Sequence, residues 1–88
     1  MLFMVIERFK DAALIEERFK RRGRMLPEGV VYQTSWIDLD GSRCFQIMEA
    51  SDFESLMTWI RRWEDLVDFE IVQVLTSQDY WSSKAGRH

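Results

Sequence analysis

The order of strand-like and helix-like segments constrains this chain more than any other feature. Its apolar residues switch between continuous or alternating runs, typical of strands, and the 3.6-residue spacing of amphipathic helices. The predicted elements are a strand at 1–7, a helix at 11–26, strands at 30–38 and 43–49, a helix at 51–66 and a strand at 68–75. With 88 residues there is room for one domain, predicted at 1–75, followed by a polar C-terminal tail at 76–88.

Local signals mark the ends of these segments. Asp11 offers a side-chain oxygen to the free amides of the first helix, and Pro27 is expected to end it. The Asp-Gly pair at 40–41 predicts a hairpin. Ser51 and Glu54 form the pattern of a capping box at the start of the second helix. The apolar face of that helix is predicted from Phe53, Leu56, Met57, Ile60, Trp63 and Val67, with Trp59 at its edge.

The element order predicts an α+β fold. Right-handed crossovers place the first and third strands at the centre of one four-stranded antiparallel sheet, with both helices on one face. This βαββαβ arrangement is the ferredoxin-like plait.

The second sheet face needs a cover. The two central strands carry large apolar side chains on both faces, whereas a water-facing sheet alternates with polar residues. We therefore expect a homodimer in which two copies pack sheet against sheet. The alternative is an open face with a modest apolar patch.

The hairpin leaves the assignment of faces open, because one residue of register inverts it. A two-residue loop pairs Cys44, Gln46 and Met48 with Ile37, Ser35 and Gln33. A three-residue loop groups the same residues with Trp36, Thr34 and Tyr32.

The net charge restricts the kinds of binding partner, and the number of cysteines restricts the cellular compartment. A net charge of −3 argues against a nucleic-acid partner. One segment is nevertheless basic, and it forms either a solvated helix face or an anion-contacting patch: Arg18, Lys20, Arg21, Arg22 and Arg24. Cys44 is the single cysteine, which fits a reducing cytoplasm. The apolar start at 1–6 is too short to span a membrane and lacks the features of a signal peptide, so no membrane association is expected.

Five residues are candidates for binding a ligand. Gln46 is an amide on a central strand, so it either bonds a neighbour such as Ser35 or points into a pocket. The indoles of Trp36, Trp59 and Trp63 either line an aromatic pocket or pack in the core and interface. Cys44 is either a small buried hydrophobe or a reactive thiol.

Other titratable residues offer weaker signals. Glu49, Glu64 and Glu70 lie near the ends of elements, where a carboxylate is either a general base or simply solvated. His88 is the only histidine, and a Cys/His zinc site is excluded by that count. We expect no metal and no cofactor.

Several segments together resemble a known family. They are residues 1–9, 35–36, 43–49, 59–63 and 66–70. They are similar to a small bacterial family classified as a domain of unknown function in the dimeric α+β barrel superfamily. The resemblance covers about residues 1–75 and implies a ferredoxin-like dimer whose two sheets form a barrel.

The superfamily implies a range of activities by analogy of fold alone. Its members include cofactor-independent monooxygenases, haem-degrading enzymes, muconolactone isomerases and stress-responsive barrels. Haem degradation would need an axial ligand, usually His, and the folded body of this chain contains none.

Two functions therefore stay open. The first is a cytoplasmic homodimer that binds a small, partly apolar ligand or a protein partner. The second is a cofactor-independent monooxygenase or isomerase acting on an aromatic or quinone-like metabolite. The enzyme requires a pocket with at least one convergent titratable group of shifted pKa, and the binding module does not.

Overall fold

The computed structural model describes residues 1–84. Its elements are β1 (Leu2–Phe9), α1 (Ala12–Arg22), β2 (Val30–Ile37), β3 (Arg43–Ala50), α2 (Phe53–Arg61), β4 (Val67–Val74) and α3 (Ser77–Ser82). The four strands form one antiparallel sheet in the order β2-β3-β1-β4. The predicted βαββαβ order, with the first and third strands at the centre, is confirmed.

The first helix begins as predicted but ends earlier. The Asp11 carboxylate accepts a hydrogen bond from the backbone N–H of Leu14 at 3.1 Å. Gly23, not Pro27, ends the helix: it adopts a φ of 64° and donates its N–H to the carbonyl of Phe19 at 2.8 Å. A left-handed residue at this place satisfies a carbonyl that the helix would otherwise leave open.

The N-terminal cap of the second helix differs from the predicted capping box. Asp52, not Ser51, caps α2, because its carboxylate accepts from the N–H of Ser55 at 2.7 Å. The N–H of Ser51 instead donates to the carbonyl of Gly29 at 3.0 Å. The helix also ends at Arg61 rather than near residue 66, and its buried face is rotated toward Leu56, Trp59 and Ile60.

Part of the predicted C-terminal tail forms a short helix after the sheet. Thr76 caps the short helix α3, with its hydroxyl accepting from the N–H of Asp79 at 3.0 Å. His88 lies outside the described residues. Within residues 1–84, no helix has the length and apolar character that crossing a bilayer requires.

A β-bulge decides which residues of β2 face the helices. Near the hairpin, Ile37 pairs with Cys44 and Ser35 with Gln46, as the two-residue loop requires. The register then shifts, so that Met48 pairs with Tyr32 instead of Gln33. Each of the two registers considered from the sequence is therefore correct for part of the strand.

The sheet has one packed face and one uncovered face. On the packed face Phe3, Val5 and Met48 are fully buried against α2, together with Leu56. The other face, here called the open face, carries the apolar residues Leu2, Met4, Ile6, Trp36, Phe45, Ile47 and Val72.

Candidate functional site

A cavity of about 180 Å³ lies between the helices and the sheet, on the packed side. Its walls are mostly apolar, with a carboxyl, an amide and a guanidinium among them. The lining residues are Glu7, Phe9, Ile15, Phe19, Arg24, Ser35, Ile37, Cys44, Gln46, Trp59, Trp63 and Val67. Phe19 and Ile37 are both exposed, so the cavity reaches solvent where α1 approaches β2.

The loose packing of α1 leaves room for this cavity. None of its residues is buried, whereas α2 buries Leu56, Trp59 and Ile60. Ile15 is half-buried against the core, and Phe19 is exposed. Helix α1 therefore covers the cavity without filling it.

The structure brings four of the five candidate residues together. Cys44, Gln46, Trp59 and Trp63 all line the cavity. Trp36 does not: it lies on the open face opposite Phe45 and is 58% exposed. The alternation of side chains along β2 separates it from the other two tryptophans.

Glu7 is a titratable residue of the cavity that was not among the candidates predicted from the sequence. It is only 9% exposed, and burial raises its pKa to about 7, against smaller opposing effects of Arg24 and of a hydrogen bond with Gln46. In the sequence it reads as the charged end of an apolar run. The signal was the alternation itself, because Phe3, Val5 and Glu7 share one face of β1.

The side chain of Gln46 forms its hydrogen bond with Glu7 and not with Ser35, the neighbour considered from the sequence. Its backbone is opposite Ser35, but its amide hydrogen-bonds the Glu7 carboxylate. The Ser35 hydroxyl lies 2.7 Å from that of Tyr32 and also interacts with the Cys44 thiol. The amide and the carboxyl therefore form one polar unit in the cavity wall.

Arg24 occupies a fixed position at the cavity wall. Its carbonyl accepts hydrogen bonds from the indole N–H of Trp59 at 3.0 Å and of Trp63 at 2.9 Å. Its guanidinium carbon lies 3.5 Å from the ring centroid of Tyr32 and 5.2 Å from that of Phe19. The indole donors are thus satisfied, and the segment after α1 is tied to α2.

Cys44 has the properties of a structural thiol. Burial, with a further contribution from the Glu7 carboxylate, raises its pKa to about 11. A thiol is nucleophilic only as the thiolate, so this environment favours the unreactive form.

The remaining acidic candidates lie elsewhere. Glu49, Glu64 and Glu70 are exposed, and none of them lines the cavity. Among residues 1–84, no cluster of three His, Cys, Asp or Glu side chains could hold a metal ion.

A larger, shallower groove of about 610 Å³ runs beside α3. It is lined by Gln73, Val74, Leu75, Ser77, Tyr80 and Trp81. It lacks a carboxylate or a cation, and it belongs to the surface. The smaller cavity is therefore the better candidate for specific binding.

Residues 1–85 match a family described as "Domain of unknown function (DUF3303)". No curated protein matches the chain.

Proposed function

Because the chain belongs to the DUF3303 family, whose description assigns no activity, we propose from its geometry that it binds a small, partly apolar ligand. The site is the cavity between the helices and the sheet. One observation carries this proposal: the polar groups of Glu7, Arg24 and Gln46 converge on a space with otherwise apolar walls. Such an arrangement is typical of small-molecule sites.

The size of the cavity limits the ligand. An apolar cavity of about 150 Å³ is enough to hold benzene. The 180 Å³ found here corresponds to one ring with a small substituent. The ring would lie among Trp59, Trp63 and Phe9, and the substituent would reach the polar groups.

The binding site can be tested by filling it from α1. Ile15→Trp places a large side chain in the cavity, whereas Leu14→Trp adds the same side chain at an exposed neighbouring position. We expect phenol, benzamide or benzoate to bind the wild type and Leu14→Trp, measured by ligand-observed NMR. Ile15→Trp should abolish that binding. Failure of all three compounds to bind, or their undiminished binding to Ile15→Trp, would contradict the proposal.

The second candidate is an isomerase, and Glu7 is the observation that favours it. A carboxyl group with a pKa of about 7 can accept and return a proton at neutral pH. Ionised Glu7 would remove a proton from the carbon next to a carbonyl group, leaving an enolate and a protonated carboxyl group. That carboxyl group, after exchanging its proton with solvent, would return a proton to the same carbon or to another atom of the enolate.

Deuterium incorporation tests this chemistry. Cyclohexanone incubated with the protein in D₂O should exchange the protons next to its carbonyl faster than in buffer, by NMR. Glu7→Gln should bind the ketone but lose the acceleration. Equal exchange with and without the protein would rule out proton transfer to this probe.

We also propose that a second copy of the chain covers the open face. This face combines apolar side chains of β1, β3 and β4 with charges of both signs: Arg8, Arg43 and Asp68 at one end, Glu70 on the edge strand beside Ile6, and Glu49 at the other end. Two antiparallel copies would bring unlike charges together around an apolar centre.

A cytoplasmic location accompanies this proposal, since the protonated Cys44 thiol suits a reducing compartment.

A further inference from the structure

Arg24 differs from the other basic residues around α1. Arg18 forms a salt bridge with Asp65 at 2.6 Å, and Lys20 forms one with Glu16 at 2.9 Å. No carboxylate of residues 1–84 lies within 4.0 Å of the Arg24 guanidinium. Instead, Arg24 turns from the basic surface toward the cavity, which it lines.

The contacts of Arg24 fix it without using its hydrogen-bonding edge. Tyr32 and Phe19 contact the guanidinium by their rings, at 3.5 and 5.2 Å from centroid to carbon. The N–H donors of a guanidinium point outward in its plane, away from stacked rings. The backbone of Arg24 is held by the two indole hydrogen bonds. The cation is therefore positioned in advance for a planar acceptor.

Glu7 does not neutralise this cation fully. Burial outweighs the influence of Arg24 on the carboxyl group and raises its pKa to about 7, so a substantial fraction stays protonated at neutral pH. The cavity then holds a full positive charge, a carboxyl O–H donor and the Gln46 amide. This combination favours an anion over a neutral guest.

We infer that the ligand is a single-ring acid whose carboxylate pairs with the Arg24 guanidinium and whose ring lies against Trp59 and Trp63. The inference deepens the proposed function and rests on it. A carboxylate matches the guanidinium because two parallel N–H···O bonds can form. Protonated Glu7 or the Gln46 amide donates a further hydrogen bond to the same carboxylate.

Binding of such an acid depends on the protonation of Glu7. The titratable or charged groups near Glu7 are Arg24 from the segment after α1 and Cys44 from β3. The lining residues contributed by α1, α2 and β4 are apolar: Ile15, Phe19, Trp59 and Val67. As the pH rises through 7, ionised Glu7 repels the carboxylate and competes for Arg24. Affinity for the acid should therefore fall.

A charged and a neutral compound of nearly the same shape test the inference. We expect benzoate to bind at least 10-fold more tightly than benzamide at pH 6, measured by NMR or calorimetric titration. The preference should fall several-fold by pH 8. Glu7→Gln should keep the preference and remove its dependence on pH.

Variants of arginine separate the role of Arg24 from general charge. Arg24→Gln should abolish the preference for benzoate, and Arg24→Lys, which keeps the charge but not the planar fork, should retain only part of it. Arg22→Gln removes the same charge at the exposed end of α1 and should have no effect.

The outcomes distinguish the two proposals. Benzamide binding as tightly as benzoate overturns the inference and leaves the cavity as a binding site. If phenol binds and benzoate does not, the inference alone is overturned. If phenol, benzamide and benzoate all fail to bind, the proposed function fails and the inference fails with it. This comparison uses the wild-type protein, so it holds even if an Arg24 variant does not fold.

Discussion

Glu7 links the stability of the fold to the chemistry of its cavity. A carboxyl group with a raised pKa favours the folded state in its protonated form. Its contribution is present in full below its ordinary pKa of 4.5 and is lost as the pH rises through about 7. At about 1.4 kcal/mol per pH unit, a pKa raised from 4.5 to about 7 corresponds to about 3 kcal/mol. The protein keeps this group at a cost, which is typical of functional sites.

Replacing Glu7 by glutamine should remove that cost. We expect Glu7→Gln to be more stable than the wild type above pH 7 and the difference to shrink toward pH 4.5, by urea unfolding at several pH values. Glu28→Gln, which removes an exposed carboxylate in the turn before β2, is the matched control. Parallel stability curves for wild type and Glu7→Gln would show that Glu7 titrates normally.

At the scale of elements, the two helices differ in how firmly they are held. Helix α2 buries Leu56, Trp59 and Ile60, but α1 buries none of its residues. The segment between α1 and β2 is instead held by hydrogen bonds, from two indoles to the carbonyl of Arg24 and from Ser51 to Gly29. Helix α1, which covers the cavity, and the segment after it, which forms part of the cavity wall, are therefore held by different contacts.

The close approach at Gly29 predicts a specific sensitivity. Gly29 and Gly41 both have positive φ, 87° and 75°, so alanine is strained at either position. A Cβ at Gly41 meets nothing within 4 Å, whereas one at Gly29 would lie 2.7 Å from the Ser51 hydroxyl oxygen. We expect Gly29→Ala to lower the free energy of unfolding more than Gly41→Ala, which costs about 1 kcal/mol.

Ser51→Ala provides the control for that prediction. It removes the hydroxyl oxygen and leaves the Ser51 Cβ at an ordinary 3.7 Å. The double variant Gly29→Ala/Ser51→Ala should recover the excess loss but not the backbone strain. Equal unfolding energies for Gly29→Ala and Gly41→Ala would mean that Ser51 moves aside freely.

At the scale of the whole molecule, the open face is the main unexplained surface. Met4 and Ile6 lie at its centre on β1, beside Ile47 and Phe45 of β3. Apolar side chains on an uncovered face cost free energy that a second copy would recover.

A charge at the centre of this face should prevent dimerisation. We expect the wild type to sediment as a dimer at micromolar concentration and Met4→Lys as a folded monomer. Leu14→Lys, at an exposed position of α1, should remain dimeric. A monomeric wild type under these conditions would contradict the proposed interface.

Prediction from sequence succeeded where the signals were local. Asp11 caps its helix because the partner amide is three residues away, and the Asp-Gly pair produces the expected hairpin. The predicted capping box is wrong because Asp52, one residue after Ser51, accepts from the N–H of Ser55 and so starts the helix one residue later. The backbone N–H of Ser51 instead bonds the carbonyl of Gly29, a partner distant in the sequence.

The candidate site was predictable only in part. Cys44, Gln46, Trp59 and Trp63 line the cavity, whereas the register of the hairpin places Trp36 on the opposite face. That register is set by how β2 pairs with β3, and the sequence of one strand does not reveal it.

The sequence by itself determined the order of the elements and the family, because periodicity and caps act over a few residues. The tertiary structure decided which face carries which side chain, and above all it decided the environment of Glu7. Desolvation by residues that are distant in the sequence raises its pKa, and the charge of Arg24 and a hydrogen bond with Gln46 lower it by less. This balance depends on the packing of the whole domain, so no local pattern encodes it.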